Sequence, residues 1–191
     1  MIIYVFCEYS NIVSEAFRKK GHLVISCDLL PCDGTPDYHI IGNCLQLLNQ
    51  FLPDMLIAFP PCTYLAKVQQ WMVNRDPVRR SLQIDAFNFF LSLYNAPIEK
   101  ICLENPAGYV TTHLRPPNQI IHPYMFGDPY QKEICFWTKN LPPLIHGALS
   151  SGRKHTSNHC NSRMSQEQKS KIRSKFFPGI ASAMAEQWSR K

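Results

Sequence analysis

Leu56-Ile57-Ala58-Phe59-Pro60-Pro61-Cys62-Thr63 runs an apolar segment into two prolines and ends on a cysteine. A short, wholly apolar run bounded in this way predicts an interior strand of an α/β sheet. Proline fixes its own φ, and Pro61 also pushes Pro60 out of the α region, so the backbone carrying Cys62 has few conformations to lose. That suits a positioned nucleophile. A second strand is expected over residues 100–103, and it runs into Glu104-Asn105-Pro106, with a carboxylate where the first has a thiol. Ligands of open α/β sheets bind beyond the carboxyl ends of the strands, so Cys62 and Glu104 are expected to face one pocket.

The chain has 191 residues, 45% of them hydrophobic, which predicts one compact domain over 1–191 with a real core and no need of disulfide staples. Its eight cysteines are scattered, several inside strand-like runs. A reducing, cytoplasmic setting fits them better than a disulfide framework. The apolar start, residues 1–7, is interrupted by Glu8 and is too short for a leader or a membrane span. The formal charge is +6, and basic residues concentrate over 153–175. That segment, with Arg153, Lys154 and Arg163, is the expected phosphate contact; a solvated basic face is the alternative.

Taken in order, residues 2–6 are β-branched and aromatic and precede the polar turn Cys7-Glu8-Tyr9-Ser10-Asn11. A helix is expected next, capped by Ser10 or Asn11 and stopped by Gly21. A strand over 22–28 then closes on Asp28. Strand, turn, helix, strand and acid is the order of a nucleotide-binding βαβ unit, although this turn contains no glycine. Residues 45–51 are expected to be helical, as are 78–94, where Leu82, Ala86, Phe89, Phe90 and Leu93 recur at core spacing. Prolines at 116, 117, 123 and 129 predict loops and edge strands over 112–129. Residues 131–137 alternate as a strand. Ser165 and Gln168 form a capping-box pattern for a short basic helix, and Pro178-Gly179 opens a last helix with Ile180, Met184 and Trp188 along one stripe.

These stretches together resemble the DNA (cytosine-5) methyltransferases, and among them a small phage-type branch without a large target-recognition domain. Pro60-Pro61-Cys62 is similar to the catalytic Pro-Cys motif, and Glu104-Asn105-Pro106 to the Glu-Asn-Val motif, in the same order and at a similar separation. Cys7, Glu8, Tyr9 and Ser10 stand where the first S-adenosylmethionine motif falls, Asp28 where the ribose-binding acid falls, and Asn43 where an acid meets the adenine. Gln131-Lys132 resembles the Gln-x-Arg-x-Arg motif, and Phe177-Pro178-Gly179 with the final helix resembles the closing motifs. The resemblance implies a Rossmann-like methyltransferase fold, a mostly parallel central sheet flanked by helices with an antiparallel C-terminal edge. It also implies a bacterial or infected-cell setting.

On that resemblance Cys62 adds to carbon 6 of the base, Glu104 protonates or hydrogen-bonds N3, Asn105 holds the carboxylate or the base, and Lys132 favours the thiolate. Cys7, Glu8, Tyr9, Ser10, Asp28, Asn43 and Pro60 would hold S-adenosylmethionine. DNA would enter as a single strand or with a flipped base, near Tyr64 and Lys67, with a protein partner supplying any missing recognition. Tyr64 and Trp71 either stack on a base or close the loop over the core. The chain departs from the family in its glycine-free first motif, in Asn43 for an acid, in Lys132 for an arginine and in the short segment between Lys132 and Phe177. His155, His159 and Cys160 lack a fourth ligand at zinc spacing. Two other functions stay open: a non-catalytic nucleic-acid-binding protein of the same fold, and an enzyme using the same thiol chemistry on a pyrimidine nucleotide.

Overall fold

The computed structural model describes residues 1–34, 36–147, 149–150, 154–155, 165, 172 and 174–189. Its frame is a seven-stranded sheet. Five strands run parallel: β1 (Ile2–Phe6), β2 (Leu23–Asp28), β3 (His39–Ile41), β4 (Met55–Ala58) and β5 (Lys100–Asn105). Helix α1 (Ile12–Arg18) links β1 to β2, and α2 (Cys44–Leu48) links β3 to β4. Two helices, α3 (Gln70–Val73) and α4 (Pro77–Tyr94), separate β4 from β5. Beyond β5 come α5 (Tyr109–His113), β6 (Gln119–Ile121), β7 (Tyr130–Gln131), β8 (Ile134–Lys139), β9 (Lys154–His155) and the closing helix α6 (Pro178–Trp188). The order across the sheet is β3-β2-β1-β4-β5-β8-β6, with β8 antiparallel to both its neighbours. The expected fold class is therefore met, and the reversed strand lies between β5 and the edge strand β6. Strands β7 and β9 form a separate parallel pair.

Strand β1 shows why the sheet is covered on both faces. Ile3 and Val5 point into one apolar cluster with Phe17 of α1 and Met184 and Trp188 of α6. Tyr4 and Phe6 point into another with Phe90 and Leu93 of α4. Period-two alternation thus feeds two cores, as a parallel sheet between helical layers requires. Because β1 pairs with β2 on one side and β4 on the other, the chain changes direction across the sheet there. Such a switch point leaves a crevice at the strands' carboxyl ends.

Two local expectations are corrected. The α1 terminus is capped by Glu8, because Asn11, although in the cap position, makes no side-chain cap bond. In α4, Phe90 and Leu93 are buried, whereas Leu82 is 38% exposed and the neighbouring Gln83 turns inward. This end of α4 packs on a polar loop, where Gln83 Nε2 donates to the Tyr64 carbonyl at 2.7 Å and to Gln70 Oε1 at 3.2 Å. An amide satisfies those acceptors, and leucine cannot. The basic helix expected from Ser165 and Gln168 lies outside the described residues except for Ser165. No helix among the described residues is long and apolar enough to cross a membrane.

Candidate active site

The two strands chosen from the sequence lie side by side, with Ala58 of β4 in register with Leu103 of β5. Beyond them the chains are tied together. Asn105 is fully buried and its Nδ2 donates to the Pro60 carbonyl at 2.9 Å, so the amide grips the segment that delivers Cys62. Its Oδ1 is buried without a hydrogen-bond partner. The loop then folds back on itself, since the Leu65 and Ala66 amides both donate to the Cys62 carbonyl at 3.0 Å. Tyr109 N donates to the Leu65 carbonyl at 2.8 Å, and Ala66 bridges to Gly108. A Cβ at Gly108 would collide with the Leu65 carbonyl oxygen, so glycine is required by this close approach.

Cys62 is exposed as a residue, yet its thiol carries a burial penalty. That burial raises its pKa, the Glu104 charge raises it further, and Lys132 with the residue's own backbone N–H pulls it back. Burial likewise raises the Glu104 carboxyl, with Lys132 opposing. Thiol, carboxyl and ammonium therefore lie within electrostatic reach of one another. Burial thus pushes both groups toward their neutral forms, and the positive charge that opposes it at both is Lys132. The Lys132 ammonium also lies 5.9 Å from the Phe177 ring centroid, which joins the closing motif to the same group.

At the sheet's switch point lies a cavity of about 440 Å³, lined by Cys7, Asp28, Asn43, Cys44, Pro61 and Phe89 among others. It brings together Cys7, Asp28 and Asn43, three of the residues expected to hold a cofactor. Asp28 Oδ1 accepts from Leu30 N at 2.9 Å, and Asn43 Oδ1 accepts from Leu45 N at 3.0 Å to cap α2. Both side chains thus serve the local fold as well as the cavity wall. Cys7 stands at φ 57°, an uncommon value for a non-glycine residue. Its thiol is hydrogen-bonded to Cys44, which pushes Cys7 well above the ordinary thiol range and Cys44 below it.

The remaining cofactor candidates are placed elsewhere. Glu8 is buried and turned under α1, where Oε1 accepts from Val13 N at 2.6 Å and Oε2 accepts from Ser14 Oγ at 2.7 Å. Tyr9 is buried. Ser10 lines a different cavity, between α1 and α6. Pro60 is buried, and its neighbour Pro61 lines the main cavity instead. The sequence reading missed Cys44, Pro61 and Phe89 as wall residues. A strand end, then Asn43-Cys44 opening a helix, was the available signal for Cys44. Phe89 was hidden because its helical spacing equals that of core residues.

Of the nucleic-acid candidates, Tyr64 is half-buried and Lys67 exposed, both in the loop after Cys62. Arg153 and Arg163 lie outside the described residues, and Lys154 is described in its backbone alone. Among the described residues no group of histidine, cysteine and acidic side chains could hold a metal ion; His159 and Cys160 lie outside them.

The chain matches no family model and no curated protein. Many solved structures are similar to it, three of them as follows. One, from E. coli, is described as a candidate DNA modification methyltransferase encoded within a prophage, with 13% identity over 72% of this chain and TM-score 0.46. A second is a triple-substitution mutant of DNMT2 from Spodoptera frugiperda, with 14% identity over 81% of this chain and TM-score 0.48. The third is the methyltransferase EhMeth from Entamoeba histolytica, with 12% identity over 87% of this chain and TM-score 0.47. The chain spans 46%, 54% and 62% of their respective lengths.

Proposed function

We propose that the chain is an S-adenosylmethionine-dependent methyltransferase acting on carbon 5 of cytosine in DNA, through a bond between Cys62 Sγ and carbon 6. The observation that carries this reading is the shared rim. Cys62, Glu104 and Lys132 lie within electrostatic reach of one another at the ends of adjacent strands, and Pro61 beside Cys62 lines the switch-point cavity. The motif resemblance supplies the particular chemistry.

The residues present fit the cofactor. The cavity is within the range of small-molecule sites, apolar with a few polar groups. Asp28 offers a carboxylate for ribose hydroxyls, and Asn43 keeps its NH₂ for an acceptor on the adenine while its oxygen caps α2. Phe89 and Pro61 supply apolar walls. When bound, S-adenosylmethionine supplies an electrophilic methyl group.

Cys62 gives its proton to water and bonds to carbon 6, while the displaced electron pair moves through the ring to N3. N3 takes a proton from Glu104, whose burial raises its pKa and so favours the protonated acid this step needs. Carbon 5 is then the nucleophilic carbon of an enamine. Methyl transfer to that carbon, from the donor that bound S-adenosylmethionine would supply, would let N3 return its proton to Glu104. Loss of the carbon 5 proton to water re-forms the ring double bond and expels the Cys62 thiolate, which Lys132 stabilises. Asn105 acts through the Pro60 carbonyl as a positioning residue.

Labelled S-adenosylmethionine with DNA should give acid-stable label in 5-methylcytosine. Absence of label from every DNA tested would overturn the reading. A second reading, a nucleic-acid-binding protein of this fold without methyl transfer, has one observation behind it: Glu8 and Tyr9 are buried in the β1–α1 turn rather than turned to the cavity. Calorimetry decides between them, because the binding protein has no affinity for S-adenosylmethionine.

A further inference from the structure

The chain has three tryptophans, and two are spent on the core: Trp137 is 0% and Trp188 2% exposed. Trp71 is 59% exposed, with the Arg75 guanidinium 5.6 Å from its ring centroid. Val68, three residues earlier, is 71% exposed. Val68 stands in the 3-10 turn leading into α3, Trp71 in α3 and Arg75 in the turn just after it, so the three lie close together along one short segment after Cys62. Lys67 is exposed next to it. Arg79 pairs with Asp76 at 3.5 Å, but among the described residues no carboxylate pairs with Lys67 or Arg75. An exposed indole interleaved with unneutralised cations matches a polynucleotide, whose bases stack on aromatic faces and whose phosphates take the charge.

The segment is also fixed relative to the thiol. Gln83 Nε2 donates both to the Tyr64 carbonyl, two residues past Cys62, and to Gln70 Oε1, next to Trp71. Cys62 and Trp71 thus belong to one hydrogen-bonded loop, the arrangement that a strand with one base at Cys62 and the next on Trp71 requires. In a duplex each base face is covered by the next base pair, so only an unstacked base can use an indole in this way.

We propose that Val68, Trp71 and Arg75, with Lys67, form a stacking platform for single-stranded DNA flanking the base held at Cys62. The platform rests on the DNA reading of the Cys62 site and adds to it the substrate's form, a single strand. Trp71 stacks on the flanking base, and Arg75 and Lys67 meet its phosphates.

Because the other two indoles are buried, the red-shifted, solvent-exposed part of the tryptophan emission comes from Trp71. Titrating the full chain with a deoxythymidine dodecamer should quench the exposed-indole emission saturably, and Cys62→Ala should behave in the same way. By anisotropy of a labelled dodecamer, Trp71→Leu should weaken binding about tenfold, Trp71→Phe much less, and a duplex should bind about tenfold more weakly than a single strand. Unchanged emission at saturation, Trp71→Leu affinity within about twofold of the native value, or equal binding of duplex or RNA would overturn the platform. So would a concentration-dependent blue shift without DNA, which would make the segment a contact between copies of this chain. Methyl transfer by a protein whose emission ignores DNA would sink the platform and leave the Cys62 chemistry standing. Quenching without any 5-methylcytosine would do the reverse.

Discussion

Cys62, Glu104 and Lys132 form a coupled set, and each can be read through the others. Glu104 raises the Cys62 thiol and Lys132 lowers it. Alkylation of Cys62 by iodoacetamide, followed by mass spectrometry of its peptide, should therefore be slow at pH 7 and accelerate above the ordinary thiol range. Lys132→Gln should slow it further, and Glu104→Gln should speed it. A reversed order of the two variants would contradict the assigned charges. Glu104 also makes a stability prediction. Its folded pKa is raised above the unfolded value, so the native state binds this proton more tightly than the unfolded chain. Stability then falls as pH rises through the window from the unfolded carboxylate value, about 4.3, to the folded one above it. Thermal melts should show Glu104→Gln more stable than the native chain at pH 8, with the gap closing near pH 4. Burial raises the Glu8 carboxyl as well, but hydrogen bonds from the Val13 and Ser14 amides and the Ser14 hydroxyl oppose it. Glu8→Ala strands those donors and should cost about 1–3 kcal/mol in denaturant melts.

At the scale of elements, the Cys62 loop is held by backbone contacts more than by side chains. Gly108 allows the β5–α5 turn to meet the Leu65 carbonyl, and a methyl group there has no room. Gly108→Ala should lower stability by roughly 1–3 kcal/mol and alter the rate of Cys62 alkylation, whereas Gly42→Ala, with open space around it, should do neither. Local chemistry was enough to foresee β4, β5, α4 and α6, because an apolar run, a proline stop or a helical stripe is written within each segment. It was not enough for Leu82 and Gln83. Spacing places Leu82 in the core, but the surface facing that end of α4 is the polar loop after Cys62, which prefers an amide. Glu8 escaped for the same reason: a turn residue beside a helix can face a ligand or cap the helix, and only the folded helix shows where its amides lie.

Across the whole molecule, the site exists because β1 sits where the chain reverses its direction over the sheet, with the cavity on one side of the switch and the Cys62–Glu104 rim beside it. Strand polarity could be anticipated in outline from the resemblance. The position of β8, inserted between β5 and β6, depends on pairings between segments far apart in sequence and has no local signal. Nor could the seven cofactor candidates be sorted from the sequence, since Ser10 and Asp28 open onto different cavities only after α1 packs on α6. The central claim is that one sulfur atom bonds to a pyrimidine ring opposite one acid. Its most direct test is to incubate the protein with S-adenosylmethionine and an oligonucleotide carrying 5-fluorocytosine, whose fluorine blocks the final elimination, and to locate any covalent adduct by mass spectrometry. The account predicts an adduct on the peptide containing Cys62, absent in Cys62→Ala. An adduct elsewhere, or none while the cofactor and DNA are both bound, would contradict it.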